Sequence, residues 1–220
     1  MNILESLRGT DRVDLERLAV ARGYRAGTTV FCEGDPSDGI VVVVSGRAKV
    51  TGAGVDGQDV VLSVVREGEI VGELAGLDHR VRSASLTTLE PARLLFVRGD
   101  DFASYLATHP NVTALLLRVV AERLRDADRR VIEFATLDVL SRLCRRLVEL
   151  VDYWGESCDD GRVEIRLPLT HDELAAWTAS SREAITKAFA VLRRRGWVET
   201  HRRRVVVINP PALKRQARGL

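Results

Sequence analysis

Two short stretches of this 220-residue chain hold residue types that can do specific chemistry. The first is Gly72-Glu73-Leu74-Ala75-Gly76-Leu77, followed by Asp78-His79-Arg80-Val81-Arg82-Ser83-Ala84-Ser85. Gly72 lets the backbone approach a ligand closely. Residues 73–75 fit a short helix whose first amides face an anion. Arg82 presents a planar fork of donors beside the Ser83 hydroxyl, a pair suited to a phosphate diester. Glu73 suits a sugar hydroxyl. The plainer alternative is a Glu73–Arg82 ion pair on a loop, which contributes little when exposed.

The second stretch is Thr170-x-x-Glu173 with Ser180-x-x-Glu183. Both have capping-box spacing, so each marks a helix start, predicting helices over 170–177 and 181–194 across a tight turn. On the second helix Ala184, Ile185, Ala188, Phe189 and Leu192 make one apolar face. Arg182, Glu183, Thr186 and Lys187 lie opposite, near the end of a recognition helix that reaches base edges in the major groove. Arg182 and Lys187 can donate to guanine, and Glu183 can accept from cytosine. Thr170, Ser181 and the helix-end amides suit phosphate oxygens. Arg202 and Arg203, with the neighbouring basic residues at 193–195 and 204, add attraction that ignores sequence.

Other chemistry finds no support. There is no nucleophile–base pair and no metal-ligand spacing, so an enzyme is the weakest reading and neither catalytic nor metal residues are assigned. Cys32, Cys144 and Cys158 are odd in number and scattered, against a disulfide framework or a cysteine-ligated cluster. Gly52-x-Gly54-x-x-Gly57 mimics a nucleotide fingerprint but falls in a hairpin turn with no helix behind it. His79 and His109 sit in no ligand motif and read as exposed loop histidines.

These stretches need elements to hold them. Residues 28–32, 39–45, 47–51, 59–65 and 93–97 are β-branched runs cut by Gly- and Pro-containing turns, the pattern of a β-sandwich or barrel. Residues 4–22 read as a helical lead-in. From 111 to 135 there is no Gly or Pro, and Leu117, Val120, Leu124, Ala127, Val131 and Phe134 recur at spacings of 3 and 4. That narrow seam with charged flanks predicts one helix packing along another, in a dimer. Residues 137–153 are amphipathic, 155–161 a polar loop, and 163–167, 197–200 and 204–208 short strands. With the two capped helices they make a winged helix-turn-helix. The fold class is α+β, in three parts: a β sensor over 1–110, a dimerisation helix over 111–136 and a reader over 137–220.

Charge divides the same way. Residues 1–136 carry 17 basic and 20 acidic side chains, while residues 180–220 carry 11 basic and 2 acidic. A basic tail on a nearly neutral chain points to a polyanion as partner. With 45% hydrophobic and 29% charged residues the chain has a globular composition. No apolar run nears the roughly 20 residues of a membrane span, and no secretory pattern opens the chain. A cytoplasmic location is expected.

The residues 33–38 (Glu-Gly-Asp-Pro-Ser-Asp), Ser45-Gly46-Arg47, and the Gly72–Ser85 stretch resemble the cyclic-nucleotide-binding β-roll. The heptad helix and the Ser180-Ser181-Arg182-Glu183 helix follow in the order of the catabolite activator protein and fumarate–nitrate regulator superfamily, a resemblance covering about 24–208. It implies a homodimeric bacterial transcription regulator in which the effector reorients the winged domains on a pseudo-palindromic operator. By position, Glu73 would meet the ribose, and Arg82, Ser83 and the Gly72–Leu74 backbone the cyclic phosphate. Arg123, Ala127 and Asp128 would face the effector from the long helix, and Arg182, Glu183 and Lys187 would read the half-site.

Cyclic AMP is the first effector implied and cyclic GMP the next. Family members that answer to cyclic AMP usually place small hydroxyl or amide side chains where Ala127 and Asp128 stand. Ala127 cannot hydrogen-bond a base, and ionised Asp128 can only accept. Two other readings stay open: a constitutive or differently gated DNA binder of the same family with a vestigial nucleotide pocket, and a cyclic-nucleotide module of an enzyme or channel. Activation would add RNA polymerase as a partner, though no residue marks a surface for it.

Overall fold

The structure, a computed structural model, describes residues 2–54, 57–78, 80–166, 169–201 and 204–219. The chain divides into two compact units, Met1–Asp126 and Ala127–Leu220. The first opens with α1 (Ile3–Ser6) and α2 (Thr10–Leu18), then β1 (Val20–Tyr24), β2 (Thr29–Phe31), β3 (Gly39–Ser45), β4 (Ala48–Ala53), β5 (Asp59–Val65) and β6 (Ile70–Val71). It continues through α3 (Glu73–Asp78), β7 (Ser85–Thr88), β8 (Ala92–Arg98), α4 (Gly99–Thr108) and α5 (Pro110–Thr136), whose last turns belong to the second unit.

Two antiparallel four-stranded sheets, β1-β8-β3-β6 and β2-β7-β4-β5, make the β layers. β3 explains its own apolar run, because both of its faces are covered. Val41 and Val43 enter one core with Val65, Leu86 and Leu94, and Ile40 and Val42 enter another with Phe102, Val112, Leu116 and Val119. Each such side chain contributes about 1.5–3 kcal/mol on full burial. α5 is thus anchored through Val112, Leu116 and Val119, while Leu117, Leu124 and Val131 on its heptad seam are 65%, 63% and 67% exposed.

The expected lead-in helix over 4–22 is corrected. Leu7 is extended and Gly9 turns with φ 54°, which splits α1 from α2, and Val20–Tyr24 leaves the helix to pair with β8. The periodicity of residues 4–18 masked that break. β6, β7 and α4 carried too few residues or too weak a pattern to be read from spacing. His109, expected in an exposed loop, instead caps the end of α4, half-buried and stacked on Tyr105. His79 lies outside the described residues.

The second unit continues from the end of α5 into α6 (Val139–Trp154), β9 (Gly155–Ser157), β10 (Val163–Ile165), α7 (His171–Trp177), α8 (Arg182–Arg194), β11 (Val198–His201), β12 (Arg204–Val207) and α9 (Pro210–Gln216). Its sheet runs β11-β12-β10-β9. Residues 155–157, expected as loop, form the edge strand β9 through pairing with β10. Asp138 caps α6 by accepting from the Ser141 amide at 2.8 Å. No helix of the described residues is long and apolar enough to cross a membrane.

Candidate effector pocket and nucleic-acid interface

Glu73 is the first residue of α3, and its side chain is only 2% exposed. Oε1 accepts from Nη1 of Arg123 at 2.5 Å, while the other guanidinium nitrogen of Arg123 donates to the Ile70 carbonyl. Oε2 is buried and makes no hydrogen bond among the described residues. Arg82 follows in a segment tied to the 33–38 turn: its amide donates to Asp35 O, and its carbonyl accepts from the Gly34 amide, both at 2.8 Å.

The Arg82 side chain is also 2% exposed. Its guanidinium lies over the Phe31 ring, 4.3 Å from the centroid. Nη1 donates to Gly39 O at 2.6 Å and to Gly72 O at 3.4 Å, and Nη2 to Asp38 Oδ1 at 2.7 Å. Nε is buried and without a partner among the described residues. Gly72 has φ 79°, and a Cβ there would stand 2.3 Å from Arg82 Nη1, so only glycine admits this approach.

The loop ion pair weighed from sequence is therefore not what forms. Glu73 takes Arg123 and Arg82 takes Asp38, partners 50 and 44 residues away that no local spacing could reveal. Each buried ion keeps one unsatisfied atom, an arrangement that costs about 1–3 kcal/mol per group or more for a charge. A ligand offering a hydroxyl to Glu73 and an anionic oxygen to Arg82 would relieve both. Leu74 and Ser83 are exposed nearby in sequence. Ala127 and Asp128, exposed on α5, fall in the second compact unit.

In that second unit α7 and α8 form the helix–turn–helix. Thr170 caps α7 in a complete box: its Oγ1 accepts from the Glu173 amide at 3.2 Å, and Glu173 Oε2 accepts from the Thr170 amide at 2.7 Å. The second cap is corrected by one residue. Ser181, not Ser180, accepts from the Ala184 amide, while the Ser180 hydroxyl pairs with that of Thr178 at 2.7 Å. Ala179 makes the turn between the helices at φ 47°.

Ile185, Ala188, Phe189 and Leu192 bury the inner face of α8, and Arg182, Glu183, Thr186 and Lys187 are exposed on the other. Arg182 is held 3.5 Å from Asp172 of α7. The Glu183 carboxyl is held below its ordinary pKa, first by its own backbone amide and then by the Ser181 hydroxyl, which keeps it an acceptor. Thr186 is less free than expected, because its hydroxyl donates to Arg182 O at 2.9 Å. Arg202 and Arg203 lie outside the described residues.

Sequence spacing also missed His171, the first residue of α7. Its ring stacks on Phe189 of α8 (centroids 5.2 Å apart, planes at 15°), and Nδ1 lies 3.4 Å from Thr186 Oγ1. Among the described residues no cluster of His, Cys, Asp or Glu could hold a metal ion. Burial pushes the Cys144 thiol up to about 12, too high for a nucleophile.

Comparison with known proteins finds relatives of both parts of the chain. Residues 21–109 match the cyclic nucleotide-binding domain, and residues 141–216 match the Crp-like helix-turn-helix domain. The CRP-like cAMP-activated global transcriptional regulator of Mycobacterium tuberculosis is 31% identical over 195 residues, 89% of this chain and 87% of that protein. The global nitrogen regulator of a Nostoc species is 26% identical over 199 residues, 90% of this chain and 89% of its own. Among solved structures, the c-di-GMP-responsive global regulator of Xanthomonas campestris shares the fold with a TM-score of 0.78 at 24% identity, over 90% of this chain and 98% of the other.

Proposed function

Because the chain belongs to the CRP/FNR family of DNA-binding transcription regulators, which are not enzymes, we propose that it is a homodimeric regulator gated by a cyclic nucleotide, with cyclic AMP the first ligand to test. The observation that carries the effector reading is the pair of unsatisfied atoms, Glu73 Oε2 and Arg82 Nε, on two buried ions in the β unit. A cyclic nucleotide brings a ribose hydroxyl for the first and a phosphate diester for the second. Gly72, Leu74 and Ser83 would belong to the same site, and Arg123 would hold the Glu73 carboxylate in place through its ion pair.

The homodimer reading rests on the seam of α5, where Leu117, Leu124 and Val131 repeat every seven residues with apolar side chains in water. The reader would place α8 in the major groove of a pseudo-palindromic operator, with Arg182, Glu183 and Lys187 at base edges. Thr170, Ser181, Thr186, Arg202 and Arg203 would serve the backbone and groove edge. RNA polymerase would be a partner if the protein activates. Binding would act by population shift, the effector favouring the DNA-competent arrangement.

One observation favours a second reading, an effector-independent regulator. Both Arg82 Nη atoms are already engaged by Asp38 and two carbonyls, so a ligand must compete for them. Calorimetric titration with cyclic AMP and cyclic GMP separates the readings, followed by DNA binding with and without each. Saturable binding that Arg82→Ala abolishes, with tighter DNA binding in its presence, is the expected result. DNA affinity indifferent to both nucleotides would favour the second reading instead.

A further inference from the structure

His171 stands between the two helices of the DNA reader, and its hydrogen bonding determines which of its nitrogens can donate. A threonine hydroxyl has one hydrogen, and Thr186 gives its own to the Arg182 carbonyl at 2.9 Å. Its oxygen can then only accept from Nδ1 of His171, 3.4 Å away. In the neutral ring that leaves the proton on Nδ1 and a bare lone pair on Nε2. Stacking on the buried Phe189 fixes the ring plane, and Nε2 makes no hydrogen bond or ion pair among the described residues.

The surrounding charges leave the ring without a counter-ion. On α7, Asp172 is turned to Arg182 at 3.5 Å, and Glu173 is tied into the capping box with Thr170. On α8, Arg182, Glu183 and Lys187 are the neighbouring charged groups of the exposed face. The first helix of a helix-turn-helix crosses the DNA backbone while the second enters the groove. A side chain of α7 that touches the exposed face of α8 therefore lies over the strand.

We propose that His171 is a titratable contact to the DNA backbone: protonated at Nε2 it donates to a phosphate, and neutral it presents a lone pair that repels one. The proposal rests on this unit being the DNA reader. A phosphate favours the imidazolium over the neutral ring. Affinity therefore grows as pH falls and levels off once the free protein is already protonated. Histidine is the side chain whose charge changes between about pH 5 and 8, which makes this a physiological range.

The test uses the full chain and a labelled random-sequence duplex of about 30 base pairs, since a phosphate contact is independent of sequence. Fluorescence anisotropy is read from about pH 8 to about pH 5.5 over a salt series. The wild type is expected to tighten by about tenfold toward low pH, and its log–log salt slope to steepen by about 0.9, one phosphate's share. His171→Gln should stay at the weak level throughout, and His171→Arg at the tight level with a flat pH profile. His201→Gln, on the wing strand β11, should keep the wild-type profile. A pH dependence that survives His171→Gln, or a salt slope equal at both ends, would overturn the proposal alone. No binding at any pH would overturn it together with the DNA reading.

Discussion

Arg123 of α5 and Glu73 of α3 form a 2.5 Å ion pair in which the carboxylate is almost wholly buried and the guanidinium is 39% exposed. The two ends are therefore unequal. Water can solvate Arg123 if Glu73 is neutralised, but the buried Glu73 carboxylate loses its counter-charge if Arg123 is removed. Arg123→Ala is expected to destabilise the sensor by about 3–5 kcal/mol, the range for an uncompensated buried charge. Glu73→Gln should cost much less. Urea unfolding checks the asymmetry.

A second buried pair ties the end of α5 to the reader. Glu133 accepts from Arg146 Nη2 at 2.5 Å and lies 3.0 Å from Arg145 Nε, while Arg146 also meets Glu149 at 3.0 Å and lies 5.6 Å from the Trp177 ring centroid. Burial raises the Glu149 carboxyl and lowers the Arg130 guanidinium from their ordinary values. Arg146→Ala should destabilise the second unit by about 3–5 kcal/mol. The double replacement Glu133→Leu with Arg146→Met should cost less, because the two fully buried charges leave together and the partners they shed, Arg145 and Glu149, are each about one-third exposed to water. Thermal unfolding of the two variants decides it.

Acid sensitivity is expected at the start of α6. The Asp138 carboxyl is held below its ordinary value, first by the hydrogen bond from the Ser141 amide. Its contribution is complete above the unfolded carboxylate's pKa, about 3.9, and is lost as pH falls through the lower folded value. Asp138→Asn should flatten that part of the acid limb in a pH series of denaturation midpoints, with little change near neutrality.

The seam of α5 gives a direct test of assembly. Leu124→Glu puts a charge at the centre of the heptad repeat without touching Val112, Leu116 or Val119, which anchor the helix in its own unit. The wild type is expected to elute as a dimer in light-scattering chromatography, and the variant should keep its secondary structure and elute as a monomer. A variant that stays dimeric would move the interface elsewhere.

Ala179 holds a left-handed backbone, which costs a residue with a Cβ about 1–2 kcal/mol. Glycine removes that strain and adds about 0.5–1 kcal/mol of chain entropy to lose. Ala179→Gly should thus raise stability slightly, read as a small upward shift in the reader's unfolding temperature.

What could be read in advance was whatever repeats or sits close in sequence. The apolar run of β3, the heptads of α5 and the Thr170-x-x-Glu173 box are local patterns, and each appears as an element or cap at its expected place. The cap of α8 slipped by one because Ser180 and Ser181 both offer a hydroxyl, and the spacing to Glu183 favoured the wrong one. The strand at 20–24 was invisible because what makes it a strand is β8, some seventy residues on.

The division is sharpest at the two sites. Residue type alone identified Glu73 and Arg82 as an acceptor and a donor fork, and Arg182, Glu183 and Lys187 as a polar face. Only the folded chain decided that Glu73 is neutralised by Arg123, that Asp38 and Phe31 hold Arg82, and that His171 leans on Thr186. Side-chain chemistry is a property of each residue and can be read one position at a time. Burial and counter-charge are properties of a place in space, and only packing brings residues 38, 73, 82 and 123 to theirs.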